Sequence, residues 1–230
     1  MAAGSNRLDR LLARTLQYPI KRVRLDIAQG KVRLDDDCCR DPSRLVHRFS
    51  LITYQGRVIQ AQSPVYIMLH KPVGVVCATR DEQHQTVLDL IDHPQKHELH
   101  IVGRLDLNSS GLVLLTNDGR WSSALTDPQH KVPKVYEVRV ENPLTPDYVS
   151  DFANGMYFAY EDITTASAEL TLTSTYTARV VLTEGKYHQI KRMFGRFRNP
   201  VLALHRVAIG DHVLPAQLAA GEWSVLSLTS

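Results

Sequence analysis

The apolar positions of the chain follow two periods. Between residues 7 and 30 they recur at helical spacing, with Leu8, Leu11, Leu12 and Leu16 on one face and Arg7, Arg10 and Arg14 around it. Pro19 breaks that first helix, and residues 22–29 form a second that stops at Gly30. The period then changes to two. Residues 31–35 alternate as a strand does, and after a turn at 35–37 a less regular segment leads to a strand at 51–54. Residues 60–64 are polar and end in a proline, which places a linker there. The expected division is a small domain over 1–60 and a larger one over 61–230.

In the larger domain the pattern predicts strands at 65–69 and 75–78 joined by a turn at 70–74, and a short helix at 87–91. A continuous apolar run, Leu112-Val113-Leu114-Leu115, has the length and polarity of a buried strand. A helix begins at Gly119, residues 134–140 alternate cleanly, and 144–154 read as helical. Strands follow at 166–173, 177–182 and 201–210. No internal repeat or low-complexity tract interrupts them. The fold class is therefore α+β, with a mostly antiparallel mixed sheet carrying a central cleft.

Composition sharpens the division. The formal charge of the 230-residue chain is only +3, but residues 1–60 hold 12 Lys/Arg against 6 acids, while the remaining 170 hold 15 against 18. A basic excess confined to one domain suggests a polyanionic partner. Arg7, Arg10, Arg14 and Arg22 on the two helices are the candidate contacts. A second basic segment, residues 179–206, carries seven Lys/Arg, Arg192 among them, against the single acid Glu184, and is expected to form a positive rim. No apolar run approaches the ~18 residues of a membrane span. The N-terminus lacks a basic segment leading into an apolar one, so no secretory signal is expected. Cys38, Cys39 and Cys77 are odd in number, which suits a reducing cytoplasm. His93, His97 and His100 have no Cys or paired carboxylate at ligand spacing, and are expected at the surface or facing RNA rather than on a metal.

The candidate chemistry sits just before the apolar run. Asp106 lies in a polar loop behind Arg104, and the loop closes at Gly111, which allows the backbone to turn into the strand. An acid on a loop backed by a core strand makes a rigid site. The stretch Gly103-Arg-Leu-Asp106, two free positions, Ser109, one free position, Gly111, four apolar residues, then Thr116-Asn117, resembles the signature of the bacterial ribosomal pseudouridine synthases of the RsuA type at every fixed position. Lys71-Pro72-x-Gly74, the Lys-x-Tyr strand ending at Tyr136, and His188-Gln189-Ile190-Lys191 lie in the order and at the approximate separations of that family.

The resemblance implies three catalytic residues. They are Asp106 as the catalytic carboxylate, Lys191 as its cationic partner, and Tyr136 as a ring and hydroxyl beside the base. It also implies substrate contacts from Arg104, Leu204, Lys71, His188 and Gln189. The first 60 residues resemble the small S-four-like RNA-binding domain, carried by Arg7-Leu8-Asp9 and the step at Gly30-Lys31-Val32, although aspartates stand where that domain has a glycine in its turn. Because pseudouridine formation is an isomerisation, no cofactor or metal is implied. The implied partner is ribosomal RNA or a small-subunit assembly particle, acted on in the cytoplasm by a monomer away from any membrane. A large-subunit enzyme of the same family, a non-catalytic RNA-binding assembly factor and an RNA hydrolase are the alternatives. Substitution at Asp106, Tyr136 or Lys191 would favour the assembly factor, and paired carboxylates the hydrolase. Neither is found.

Overall fold

The helical period at the N-terminus becomes α1 (Leu8–Leu16) and α2 (Ile20–Ala28). In the computed structural model, which describes residues 6–227, the chain divides into two compact units, Met1–Pro64 and Val65–Ser230. In the first, Leu8, Leu11 and Leu12 pack with Val23 and Ile27 over a four-stranded sheet of β1 (Val32–Leu34), β2 (Asp37–Cys39), β3 (Ile52–Tyr54) and β4 (Arg57–Gln60). The aspartates that replace the expected glycine take the left-handed backbone themselves, at φ 50° for Asp35 and 67° for Asp36. Two positive φ values in a two-residue hairpin loop match the twist of its strands, and aspartate adopts this region more readily than most residues. Leu51 N–H donates to the Asp35 carboxylate at 2.8 Å, tying the turn down. Inside the unit, Asp9 is fully buried and accepts from Arg7 (3.0 Å) and Arg24 (2.8 Å). Burial opposes its ionisation, but these bonds outweigh burial and hold its pKa below the ordinary carboxylate value.

The second unit is built on a nine-stranded sheet. Its strands are β5 (Tyr66–Lys71), β6 (His100–Val102), β7 (Ser110–Thr116), β8 (Lys134–Val140), β9 (Glu169–Leu172), β10 (Thr177–Leu182), β11 (Val201–Ile209), β12 (His212–Val213) and β13 (Trp223–Val225). The order is β9-β10-β8-β11-β7-β5-β13. Every pairing is antiparallel except β11 with β7. The run Leu112–Leu115 is continuous because both faces of β7 are covered. Val113 and Leu115 join the larger core with Phe152 of α4 (Asp147–Asn154) and Phe194 of α5 (Gln189–Gly195). Leu112 and Leu114 face Met68, Val102 and Ile209 on the other side, against Trp121 of α3 (Gly119–Thr126). Asp118 caps α3, accepting from Arg120 N–H at 2.9 Å.

Two expected elements are absent. Residues 75–78 do not form a strand. Val76 makes a single bridge to Thr86, and the backbone bonds of the segment go to loops, with Gly74 N–H on the Leu107 carbonyl at 3.0 Å. Residues 87–91 are turns rather than a helix. Thr86 and Asp89 exchange the bonds of a helix-starting capping box, at 2.8 and 3.2 Å. The helix fails to propagate because Pro94 follows within a turn and biases His93 away from helical backbone.

One feature positions the site. The edge of β7 away from β5 is shared by two strands. β11 pairs with Ser110 and Gly111, while β6 pairs with Leu114, Leu115 and Thr116. Between them Leu112 and Val113 are left without a strand partner on this edge, and the Arg206 guanidinium fills the gap, donating to the Leu112 carbonyl at 2.8 Å. Gly111 permits this closeness. A Cβ there would lie 2.2 Å from the Arg206 carbonyl oxygen and 2.6 Å from its nitrogen, and its φ is 108°. Gly111→Ala is therefore expected to cost about 2 kcal/mol or more, lowering Tm by roughly 4–8 °C. An unchanged Tm in a thermal melt would show that the two strands can part here freely.

Candidate active site

The loop between β6 and β7, residues 103–109, carries Asp106 and is gripped at both ends by buried cations. At its start, Arg206, 1% exposed, donates to the carbonyls of Gly103 (2.7 Å) and Arg104 (3.3 Å). At its end, Lys71, with no exposed surface, donates to the carbonyls of Leu107 (3.3 Å) and Ser109 (2.6 Å), and to that of Pro72. Burial pulls the Lys71 pKa below its ordinary value, and the nearby Cys77 and Asp106 oppose that shift. The loop closes on itself through Ser109 N–H to the Asp106 carbonyl at 3.1 Å. From above, Leu105 N–H rests on the Cys77 sulfur at 3.3 Å. Backbone groups that a surface loop would leave to water are here bonded inside the protein.

The Asp106 carboxylate faces a cleft. Its Oδ2 accepts from Lys191 Nζ of α5 at 2.9 Å, and its Oδ1 is 3.3 Å from His188 Nε2. An ammonium against a carboxylate at that distance is a charge-assisted hydrogen bond, stronger than a neutral one. Tyr136 of β8, Leu182 of β10, Leu204 of β11 and Ile190 of α5 line the same cleft, with Arg104 exposed at its edge. Tyr136 and Leu204 are inward residues of adjacent strands, which is why a sheet can supply an aromatic wall and an aliphatic floor together. His188 has left-handed backbone at the start of α5, φ 48°, and its ring stacks on Tyr187 at 3.9 Å between centroids.

Asp106, Tyr136 and Lys191 thus meet in one cleft, together with Arg104, Leu204 and His188. Three other expected contacts do not present free groups there. Lys71 is buried and spends its ammonium on three carbonyls, so it supports the loop instead of reaching a ligand. Gln189 lines the cleft, but its amide is committed to Glu184 (2.6 Å) and to Lys186 N–H (3.0 Å). Arg192, expected in the positive rim, is half-buried. It pairs with Glu161 at 2.5 Å and lies over the Phe158 ring. Arg206 also leaves that rim, since it points into the protein. In the first unit Arg10 and Arg14 are exposed, Arg22 is exposed with its guanidinium 3.9 Å over the Tyr18 ring, and Arg7 pairs with Asp9. His93 packs edge-on against Trp223.

Arg206, like Lys71, supports the site from inside the protein, whereas the sequence had suggested a place for it in the positive rim. A signal was available, because Leu204, Arg206 and Ala208 share one phase of an alternating strand, and a cation in the inward phase must be clasping something. Ser109, a fixed position of the motif, is a further residue of the site that carried no role in the sequence reading. Its hydroxyl is buried, and among the described residues it is the buried side-chain polar atom without a hydrogen-bond partner.

Residues 65–195, which include every lining residue of the cleft except Leu204, match the RNA pseudouridylate synthase family, and the chain belongs to that family. Its relatives narrow the comparison. The ribosomal small subunit pseudouridine synthase A of Pseudomonas aeruginosa is 47% identical over 222 residues, 96% of each chain. The protein of that description from Escherichia coli K12 is 38% identical over 222 residues, again 96% of each. A crystal structure described as a pseudouridylate synthase superposes with a TM-score of 0.69 at 33% identity, covering 97% of this chain and 96% of the other.

Proposed function

We propose that this enzyme converts one uridine of small-subunit ribosomal RNA to pseudouridine, with Asp106 as the catalytic carboxylate. The observation that carries the reading is the Asp106–Lys191 pair, 2.9 Å apart, facing a cleft walled by Tyr136 and Leu204. The reaction breaks the bond between uracil N1 and ribose, turns the base and joins ribose to carbon-5; carbon-5 gives up its proton and N1 takes one up. Nothing is gained or lost overall. Asp106 acts on the sugar or the base as nucleophile. Lys191 holds the carboxylate by charge and hydrogen bond. Tyr136 offers its ring to the uracil and its hydroxyl to the departing proton. Leu204 keeps the detached base from escaping.

A uridine in folded RNA must leave its stack to reach such a cleft. Arg104, exposed at the edge, fills the vacated space or holds a phosphate. The first unit, with the +6 excess of residues 1–60 and exposed arginines on two helices, is an S-four-like anchor for the RNA backbone. The enzyme works as a cytoplasmic monomer on the RNA or on an assembly particle. Among the described residues no helix is long and apolar enough to cross a membrane. Chemical mapping of pseudouridine in ribosomal RNA from cells with and without the gene tests the reading, and one protein-dependent site in small-subunit RNA is expected. Modification confined to large-subunit or transfer RNA would overturn the substrate. A complete absence of protein-dependent sites would overturn the reading itself.

A further inference from the structure

Continuous with the catalytic cleft lies a second hollow, about 590 Å³, whose lining holds neither Tyr136 nor Leu204. That size falls within the range of about 300–1,000 Å³ common to ligand pockets. The two hollows share Arg104, Leu105, Asp106, Gly185, Lys186 and His188, so a chain entering one passes Asp106 to reach the other. The second is walled by Val76, Leu107 and Tyr187. Tyr187 is 76% exposed, so its ring is open to a ligand that enters the hollow. Unlike the still more exposed Tyr160, it lines a hollow. One face of its ring lies on His188, 3.9 Å away and 19° from parallel. His188 in turn is 3.3 Å from Asp106. The tyrosine plane is thus set relative to the carboxylate before any ligand arrives, which lowers the ordering cost of stacking on it.

We infer that this hollow is a subsite for the unpaired base next to the target uridine, with Tyr187 as its stacking surface. The inference rests on the proposed reaction and adds a second recognised nucleotide to it. An aromatic face with Arg104 at the edge suits a base and its phosphate, because stacking accepts any base while a cation follows the backbone. Holding the neighbour on Tyr187 while the target enters the cleft keeps the two bases apart, so the extruded uridine is held from both sides of Asp106. The subsite therefore contributes to choosing a target in a loop or bulge over one in a continuous helix.

The test is a coupling measurement on a small-subunit RNA fragment that the wild-type enzyme modifies, compared with fragments in which each neighbour of the target is made abasic in turn. Tyr187→Ala should lower kcat/KM roughly five- to a hundred-fold on the intact fragment, with Tm unchanged, whereas Tyr187→Phe stays within about threefold because the ring is retained. On the fragment lacking the recognised neighbour, wild type should lose a similar factor, and Tyr187→Ala should then lose little more. Losses that multiply at every abasic position, or a Tyr187→Ala enzyme as active as wild type, would overturn the subsite. Wild-type turnover of the intact fragment reports separately on the parent reading, so the two cannot fail in the same way.

Discussion

Asp106→Asn should abolish turnover, by roughly 10⁴-fold or more, the scale seen when a nucleophile is deleted. Asparagine keeps the shape of the side chain, and its carbonyl can still accept from Lys191. The loop is held by Arg206 and Lys71 through its backbone, not through the Asp106 side chain, so folding should be unaffected. What disappears is the negative charge and the oxygen able to attack. Among the described residues no second carboxylate lines the cleft to replace it. Tritium release from uracil carbon-5 under single-turnover conditions, alongside a binding titration with the same RNA, separates the outcomes. Equal release from both enzymes would sink the mechanism. Loss of binding together with activity would make Asp106 a structural loop residue.

Lys191→Met should cut the chemical step by roughly 10²–10³-fold, the range for removing one pre-placed electrostatic partner, and leave RNA affinity within about threefold. The methionine stem preserves much of the packing at the cleft wall but leaves Asp106, among the described residues, with His188 at 3.3 Å. Affinity should hold because Lys191 is already engaged by the carboxylate and is one cation among many. Lys191→Arg should retain more activity, since it restores a donor of like charge. Pre-steady-state rates measured with saturating RNA isolate this step. A Met enzyme reacting near the wild-type rate would show that the 2.9 Å pair plays no part in the chemistry.

How far the sequence could be read depended on whether local pattern or long-range packing decides each position. The span 134–140 became β8 without adjustment, because a strand covered unequally on its two faces alternates strictly. The run at 112–115 was recognisable for the opposite reason, being covered on both faces. Residues 75–78 and 87–91 were misjudged because their apolar residues, Val75, Cys77, Val87 and Ile91, reach the core from irregular backbone, where no period marks them. At the site, Asp106, Tyr136 and Lys191 were legible as spaced motifs. Lys71 and Arg206 were not, because a sequence does not say whether a cation faces water or carbonyl oxygens. Their role comes from contacts across 38 and 103 positions. The commitments of Gln189 and Arg192 to Glu184 and Glu161 were hidden in the same way.

The grip of Arg206 and Lys71 on the 103–109 loop has a consequence for when work is done. Most loops open at the low end of a protein's free-energy scale and must be ordered again each time they meet a ligand. This one cannot open without releasing two buried cations from their carbonyls and disturbing the strand junction that Arg206 plugs. The orientation of the Asp106 backbone is therefore set once, when the chain folds, and every later substrate meets it already in place. Reorganisation during turnover is left to the RNA, whose base has to move, while the protein's part of the reacting geometry is as old as the folded molecule itself.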